Sequence, residues 1–234
     1  MSFANKTVIV TGAAGNLGKA VARAFADQGA NLVLVDLKRE SLAAAFGAEN
    51  DRALFAASNL LEQSGASSVV QAALARFKRI DVLCNIAGGF RMGEAVHETS
   101  DDNWNFLFDI NTRTLLHVVR AVVPQMVTAG GGKILNVGAF AAQKGVAHMG
   151  AYTAAKGTVI RMTEAMAADL REKNINVNCV LPTIIDTPDN RAAMPKADPA
   201  KWVAPVDLAN VILFLASDAA RAVHGAAVPV SGLS

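Results

Sequence analysis

Tyr152 and Lys156 are the residues whose types and spacing most directly suggest chemistry. Tyr152 is the only tyrosine among 234 residues, and it stands four positions before Lys156 in the segment Ala-Tyr-Thr-Ala-Ala-Lys-Gly. On a helix this spacing places the phenol and the ammonium on one face, about one turn apart. An ammonium near a phenol stabilises the phenolate, so we expect the pKa of Tyr152 to fall below its ordinary value of about 10. Such a phenol can act as a general acid or base on a carbonyl/alcohol pair, whereas the alternative is two unrelated residues on a helix surface.

A glycine-rich segment, Thr11–Gly18, lies between an apolar run and a helical pattern. Glycines let backbone N–H groups at a helix start approach a diphosphate, and the helix dipole favours negative charge there. The context of strand, glycines and helix therefore predicts a dinucleotide site, the alternative being a tight turn without a ligand. The residues expected to contact the dinucleotide here are Gly12, Gly15, Asn16, Leu17 and Gly18.

An acidic residue, Asp36, ends the next apolar run, 18 residues beyond Gly18. A carboxylate at this place can accept both hydroxyls of an adenosine ribose and repels a 2′-phosphate. Asp36 therefore predicts a preference for NAD(H). Lys38 and Arg39 follow closely and could soften that repulsion, so NADP(H) remains possible; their alternative role is a solvated helix start.

The elements that must position these residues alternate regularly along the chain. Short apolar runs predict strands at Thr7–Thr11, Asn31–Asp36, Ala53–Ala57, Asp81–Ile86, Gly132–Val137, Asn176–Leu181 and Ala227–Val230. Helical patterns lie between them at Leu17–Gln28, Ser64–Phe77, Asp101–Thr128, Gly150–Lys173 and Pro205–Ser217. This alternation predicts an α/β fold, a Rossmann-like, doubly wound, mostly parallel seven-stranded sheet with helices on both faces.

Length and composition favour one domain over residues 1–234. The irregular stretch at about 183–204 is expected to form a substrate lid, because its prolines prevent one continuous helix.

Hydrophobic residues make up 52% of the chain and the net charge is +2 without a concentrated basic stripe, so we expect no nucleic-acid partner. Cys84 and Cys179 lie within apolar runs, and we expect neither a disulfide nor a metal site. No apolar run is long enough for a membrane span and the N-terminus resembles no signal peptide, so we expect a cytoplasmic protein with no membrane partner.

Several motifs in order make the chain resemble the short-chain dehydrogenase/reductase family over essentially its whole length. Besides the glycine turn, they are Asn85-Ile86-Ala87-Gly88 after the fourth strand, Asn111 in a long helix, the Tyr152/Lys156 pair, and Pro182 to Thr187 after the sixth strand. The resemblance implies an NAD(P)-dependent oxidoreductase with a small-molecule substrate. It also implies a homodimer or homotetramer formed through the two long helices.

The resemblance further implies a role for each matching residue. Tyr152 would be the proton donor and acceptor, Lys156 would lower its pKa and bind the nicotinamide ribose, and Asn111 would anchor a water that links Lys156 to solvent. The other implied cofactor contacts are Asp36, Leu37, Asn59, Leu60, Asn85, Ala87, Gly88, Pro182, Ile185 and Thr187. For Asn85 the alternative is a buried amide that closes a strand end, and for Thr187 it is a helix N-cap.

One family position departs from the pattern. The family usually has a serine 13 residues before the tyrosine, where this chain has Ala139. Three explanations are open: the substrate does not need that donor, another group such as Gln143 or His148 replaces it, or catalysis is lost and the chain is a dinucleotide-binding sensor or assembly subunit. Dihydropteridine reductases, a branch of the family, also have alanine here, and their lid resembles the segment from Val180 to Trp202. Quinonoid dihydropteridine reduction, which leaves no localised alkoxide, is therefore an alternative to a small carbonyl/alcohol substrate.

Overall fold

The computed structural model describes all 234 residues and contains one seven-stranded sheet. The strands are β1 (Thr7–Thr11), β2 (Asn31–Asp36), β3 (Ala53–Ala57), β4 (Val82–Asn85), β5 (Gly132–Val137), β6 (Ile175–Pro182) and β7 (Ala227–Val230). They lie in the order β3-β2-β1-β4-β5-β6-β7, and every neighbouring pair is parallel. The predicted Rossmann-like sheet is confirmed, and it is wholly rather than mostly parallel.

Helices cover both faces of this sheet, as predicted. They are α1 (Asn16–Asp27), α2 (Arg39–Phe46), α3 (Gln63–Phe77), α4 (Asp101–Phe108), α5 (Thr114–Thr128), α6 (Gly150–Leu170), α7 (Pro188–Ala193) and α8 (Pro205–Ala216). On one face α1 packs against β1 and β2 and α8 against β5 and β6, and these helices bury residues such as Phe25 and Ile212. On the other face α3, α5 and α6 bury residues such as Val70, Val122 and Val159. Because both faces are covered, the central strands are largely apolar, and all eight residues of β6 are buried, including Asn176 and Asn178.

The long helix expected over Asp101–Thr128 is interrupted, which corrects the sequence-based prediction. A π-helical turn at Asp109–Arg113 separates α4 from α5 and contains the buried Asn111. The Asn111 Nδ2 donates to Leu107 O at 2.9 Å, four residues earlier. Apolar periodicity continues through such a turn, so the sequence pattern did not reveal it. The eight-residue helix α2 was also not predicted, since only Leu42 of its residues is buried.

The segment expected to form a lid has its two ends joined. Val203 N donates to Ile184 O at 2.8 Å, and Asp186 N donates to Val203 O at 2.8 Å. Between these two joined ends the chain forms α7 and a short 3₁₀ turn, so it is not one continuous helix. The two backbone hydrogen bonds therefore hold the segment that contains α7 beyond the carboxyl end of β6. No helix in the fold combines the length and apolarity that crossing a bilayer demands.

Candidate active site

A cavity of about 470 Å³ opens where the strand order reverses, between the carboxyl ends of β1 and β4. Parallel α/β sheets bind ligands at this reversal point, because the loops there diverge to opposite faces. Twelve residues expected from the sequence line the cavity, namely Gly12, Gly15, Asn16, Leu17, Gly18, Asp36, Leu37, Asn59, Leu60, Ala87, Gly88 and Thr187. The tertiary structure thus brings together motifs that lie far apart in the chain.

The glycine turn is packed too closely for side chains. Gly12 has φ +61°, and a Cβ there would lie 2.9 Å from Ala87 Cα. A Cβ on Gly18 would lie 2.7 Å from Ala13 Cα and closer still to Gly12 O. The turn is also fastened to the loop after β4, because Thr11 Oγ1 accepts from Ala87 N at 3.1 Å. Glycine at Gly12 and Gly18 is therefore required by the fold of the turn itself.

The first turn of α1 offers free hydrogen-bond donors. The backbone N–H groups of Asn16, Leu17 and Gly18 have no acceptor within the protein, and all three residues line the cavity. The twelve-residue helix adds the positive end of its dipole at the same place. Together these features fit the diphosphate of a dinucleotide, which needs several donors and positive potential.

Asp36 is held in place at the end of β2 by two backbone groups. Its Oδ2 accepts from Ala14 N at 3.0 Å, and its Oδ1 accepts from Leu37 N at 2.8 Å. The carboxylate lies on the cavity wall with free lone pairs. The nearby Arg39 does not compensate this charge, since its guanidinium donates to Glu49 and to Phe55 O, the latter at 3.2 Å. The wall here is therefore acidic and suits hydroxyl donors.

Asn59 and Thr187 line the cavity while also serving local structure. Asn59 Oδ1 accepts from Leu61 N at 3.1 Å, and Thr187 Oγ1 accepts from Asn190 N at 3.2 Å as the N-cap of α7. The N-cap that was the alternative for Thr187 is thus present. A contact with a ligand remains compatible with it, because each oxygen has a second lone pair.

Five expected cofactor residues lie outside the cavity wall: Tyr152 and Lys156 on α6, and Asn85, Pro182 and Ile185. Asn85 is buried between strands, where its Nδ2 donates to Asn136 Oδ1 at 2.9 Å. Pro182 is the buried last residue of β6, and Ile185 O accepts from Asn190 Nδ2 at 2.8 Å.

Residues that the sequence analysis missed also line the wall: Ser58, Leu61, Ile86, Ile110, Thr114 and Asp189. Ser58, Leu61, Ile86 and Ile110 adjoin expected residues in the chain, and Asp189 lies two positions after Thr187. Thr114 is brought to the wall by α5.

Lys156 connects this cavity to the start of α6. The residue is 6% exposed, and its Nζ donates to Val137 O at 2.8 Å. A Cβ built on Gly88, in the cavity wall, would lie 3.2 Å from the same Nζ. Burial lowers the pKa of Lys156 from 10.5 to about 8, because the ammonium loses its hydration. A buried cation therefore stands directly behind the wall of the cavity.

Tyr152 lies one turn earlier on α6, as expected, but its acidity differs from the expectation. Burial raises the pKa of Tyr152 to about 12, so the predicted fall below the ordinary value of the phenol is wrong for the protein alone. Desolvation disfavours the phenolate, and the Lys156 ammonium is directed to the carbonyl of Val137. The four-residue spacing correctly predicted that Tyr152 and Lys156 share a helix face. It could not predict whether desolvation or the nearby charge would have the larger effect on the pKa of Tyr152.

Asn111 holds the loop that follows β4. Its Oδ1 accepts from Gly89 N at 3.1 Å, and its Nδ2 donates to Gly89 O at 3.0 Å. The side chain is buried, and a Cβ on Gly88 would lie 2.8 Å from its Oδ1. Asn111 therefore stands beside Gly88, the same glycine that borders Lys156, and fixes the backbone of this loop.

Ala139 occupies the position where the sequence comparison expected a serine. It follows β5 and is buried, so no hydroxyl is available from this residue. Both proposed replacements are exposed: Gln143 Nε2 donates to Phe140 O at 3.3 Å, and His148 has a left-handed φ of 61°. The site thus combines a half-buried phenol, a buried ammonium and a cavity that fits a dinucleotide.

Comparisons with known proteins point to the same chemistry. Residues 6–198 match a model of the family described as short chain dehydrogenase. The chain is 33% identical over 243 residues to (2S)-[(R)-hydroxy(phenyl)methyl]succinyl-CoA dehydrogenase subunit BbsD of Thauera aromatica, covering 99% of this chain and 97% of that protein.

Two solved structures share the fold over almost the entire chain. A short-chain type dehydrogenase/reductase from Mycobacterium ulcerans superposes with a TM-score of 0.93 at 25% identity, covering 100% of this chain and 90% of that one. NAD⁺-bound xylitol dehydrogenase superposes with a TM-score of 0.90 at 28% identity, covering 99% of this chain and 100% of that one.

Proposed function

Because the chain belongs to the short-chain dehydrogenase family, we propose that this NAD(P)-dependent oxidoreductase prefers NAD(H) and interconverts a small alcohol and its carbonyl compound. The observation that carries the proposal is the position of Lys156 Nζ and Asn111 Oδ1 next to Gly88 in the cavity wall, where a Cβ built on Gly88 would lie 3.2 Å from the first atom and 2.8 Å from the second. This arrangement connects the dinucleotide cavity to the helix that carries Tyr152. When bound, the nicotinamide supplies the hydride chemistry.

The chain's own residues are assigned to binding and proton transfer. The free N–H groups of Asn16, Leu17 and Gly18 would bind the diphosphate, and Asp36 would accept the hydroxyls of the adenosine ribose. Tyr152 Oη would take the hydroxyl proton of the alcohol or return it to the carbonyl oxygen. The remaining proposed contacts are Gly12, Gly15, Leu37, Asn59, Leu60, Asn85, Ala87, Gly88, Pro182, Ile185 and Thr187.

Proton transfer through Tyr152 needs a cation, because burial holds the pKa of this phenol at about 12 in the protein alone. Lys156 is the nearest candidate, and its Nζ would exchange Val137 O for ribose hydroxyls while remaining charged. Asn111 would act by fixing the loop at Gly89 and by anchoring a water near Lys156. Replacing Tyr152 by Phe should abolish turnover while NADH binding, followed by fluorescence, stays within about threefold. Full turnover by that variant would contradict the assignment.

NAD(H) preference is proposed from the acidic wall at Asp36. Replacing Asp36 with Ser should move the ratio of kcat/KM for NADPH over NADH upward by about tenfold or more, because like-charge repulsion of the 2′-phosphate is removed. The matched control is Asp189→Ser, a second carboxylate on the cavity wall, placed in α7. An unchanged cofactor ratio in the Asp36 variant would refute the proposed role.

The substrate is proposed as a small alcohol or carbonyl compound. The relatives described above are named dehydrogenases of hydroxyl-bearing compounds, which supports this class. Ala139 favours a second candidate, a quinonoid dihydropterin, since reduction of a conjugated ring needs no serine donor for an alkoxide. A panel of ketones and a quinonoid dihydropterin, each mixed with NADH and followed by loss of absorbance, separates the two. Turnover of the pterin alone would overturn the carbonyl proposal.

A sensor or assembly subunit without catalysis is the candidate from another class. It predicts tight NADH binding, no hydride transfer to either substrate class and no effect of Tyr152→Phe on any measured property. The buried Lys156 argues against it, because a protein without catalysis has no evident need for an ammonium inside the fold that lacks a carboxylate partner.

We also propose one domain with its lid at about 183–204, a cytoplasmic location and a homodimer or homotetramer. Light scattering at graded protein concentrations tests the assembly.

A further inference from the structure

The loop after β4 is held rigidly by three contacts with different elements. Asn111 brackets the backbone of Gly89 with two hydrogen bonds. The Arg91 guanidinium stacks 3.6 Å from the ring centroid of Phe106 in α4. Gly93 N donates to His148 O at 2.9 Å, which ties the loop to the segment before α6. The residue between the first two contacts, Phe90, is therefore presented in a defined place.

Phe90 lies directly against the proposed proton-transfer residue. Its ring centroid is 4.8 Å from that of Tyr152, with an interplanar angle of 89°. This edge-to-face geometry is the favourable arrangement for two aromatic rings. Phe90 is nevertheless 52% exposed, so much of its surface is open next to the phenol. Trp202, the aromatic residue at the end of the expected lid, is buried and so presents no comparable open surface.

We propose, resting on the function proposed above, that Phe90 is a positioning and specificity-determining residue. Its ring orients and covers the Tyr152 phenol, and its open surface selects carbonyl or alcohol substrates that carry an apolar group on the reacting carbon. An apolar group placed there removes the exposed part of the ring from water, whereas a polar group loses hydration without a partner. The buried Ala139 after β5 offers no hydroxyl to such a polar group.

The environment of the phenol agrees with this role. Burial alone raises the pKa of Tyr152 to about 12, and Phe90 supplies an apolar cover on one side. The charged group on the same helix face is Lys156, whose ammonium donates to Val137 O. Removing the Phe90 ring should admit water, and the phenol should then ionise closer to its ordinary pKa.

The test uses Phe90→Ala, Phe90→Leu and the control Met92→Ala, which removes another exposed apolar side chain from the same loop. Because Tyr152 is the only tyrosine, the tyrosinate absorbance of the intact protein reports its ionisation without ambiguity. The second measurement is kcat/KM with NADH for methyl phenyl ketone and for dimethyl ketone. NADH binding is measured in parallel, because Phe90 does not line the dinucleotide cavity.

We expect Phe90→Ala to lower the titration midpoint of Tyr152 by about one pH unit or more, and Phe90→Leu to lower it less. The preference for the phenyl ketone should fall by about tenfold in Phe90→Ala, with NADH binding and the Met92→Ala variant unchanged. An unchanged midpoint in Phe90→Ala, or an equal shift in Met92→Ala, would overturn the positioning role.

An unchanged ketone preference in Phe90→Ala would overturn the specificity role. If no ketone is turned over by the parent protein, the proposed function fails and the specificity role fails with it. The tyrosinate titration still decides whether Phe90 positions and covers the phenol, so the two failures remain distinguishable.

Discussion

Replacing Lys156 with Met should make the protein inactive and, at neutral pH, more stable. Lys156 is buried, and its ammonium has Val137 O as its only hydrogen-bond partner, at 2.8 Å. Burial lowers its pKa from 10.5 to about 8, so the folded protein holds this charge against a desolvation cost. Methionine has a similar length and carries no charge, so it can fill the same space.

The size and sign of the effect follow from proton linkage. Below pH 8 the lysine is protonated in both the folded and the unfolded chain, and the full cost of burial, about 3 kcal/mol, acts on the folded state. Between about pH 8 and 10.5 the unfolded chain binds more protons, so stability rises with pH. Above 10.5 both states are neutral and the cost has disappeared.

The lost hydrogen bond to Val137 partly offsets this gain, by about 1.5–3 kcal/mol while the donor is charged. We therefore expect Lys156→Met to exceed the parent protein in free energy of unfolding by about 1 kcal/mol at neutral pH. Near pH 10.5 it should be less stable than the parent, which means that the difference changes sign. Burial raises the pKa values of Tyr152 and Cys179, so these two groups make the free energy of unfolding fall as pH rises. They do so in the parent protein and in the variant alike.

The assay is urea denaturation of the protein without cofactor, at a series of pH values from neutral to alkaline, with Lys173→Met as the control. Lys173 is exposed, so its replacement should change stability little and without this pH dependence. Turnover with NADH should fall by at least about a hundredfold in Lys156→Met only. A stability difference that stays constant across the pH series, or a Lys156→Met variant as active as the parent, would refute the reasoning.

Three further predictions concern the turn, the loop and the missing serine. Gly18→Ala places a methyl group against Gly12 O, so NADH binding measured by fluorescence should weaken at least about tenfold. The control is Gly157→Ala in α6, where the added Cβ would lie 3.7 Å from Ala142 O; it should retain binding and raise the free energy of unfolding by about 0.5–1 kcal/mol, and equal binding by both variants would contradict the close packing. Asn111→Leu should lower the free energy of unfolding by about 2 kcal/mol in urea denaturation, because the loop backbone loses both hydrogen bonds, and should lower kcat more than NADH affinity. An unchanged kcat would contradict the proposed contribution of Asn111 to the active site. Ala139→Ser should raise kcat/KM for ketone reduction by about tenfold while leaving any dihydropterin reduction unchanged, and a fall for every ketone would show that the site does not use a donor there.

The fold was largely predictable because its signals are local. The bounds of β1, β2, β3, β5 and β7 agree with the sequence-based prediction, since each is a continuous apolar run between polar residues. The helix α2 was missed because its burial on one side is slight, and the π-helical turn was missed because periodicity continues through it. Local pattern therefore identified the elements but not their irregularities.

The positions of the candidate site residues required the assembled sheet. The sequence indicated Asp36 and the glycine turn, but only the structure shows the Asp36 carboxylate bound to Ala14 N. For Asn85 the sequence left open a cofactor contact or a buried amide at a strand end, and the structure shows this amide buried and paired with Asn136 on the neighbouring strand. The contact of Phe90 with Tyr152 joins residues 62 positions apart, a distance at which spacing along the chain carries no information.

The sequence by itself determined the α/β fold, the close-packed glycine turn and the shared helix face of Tyr152 and Lys156. These depend on backbone geometry, on short apolar runs and on the helical period of about 3.6 residues, which are properties of residues close together in the chain. Only the tertiary structure decided the acidity of the pair, because desolvation depends on what covers a group from every side. Desolvation therefore raises the pKa of this phenol and lowers the pKa of this ammonium in the folded protein.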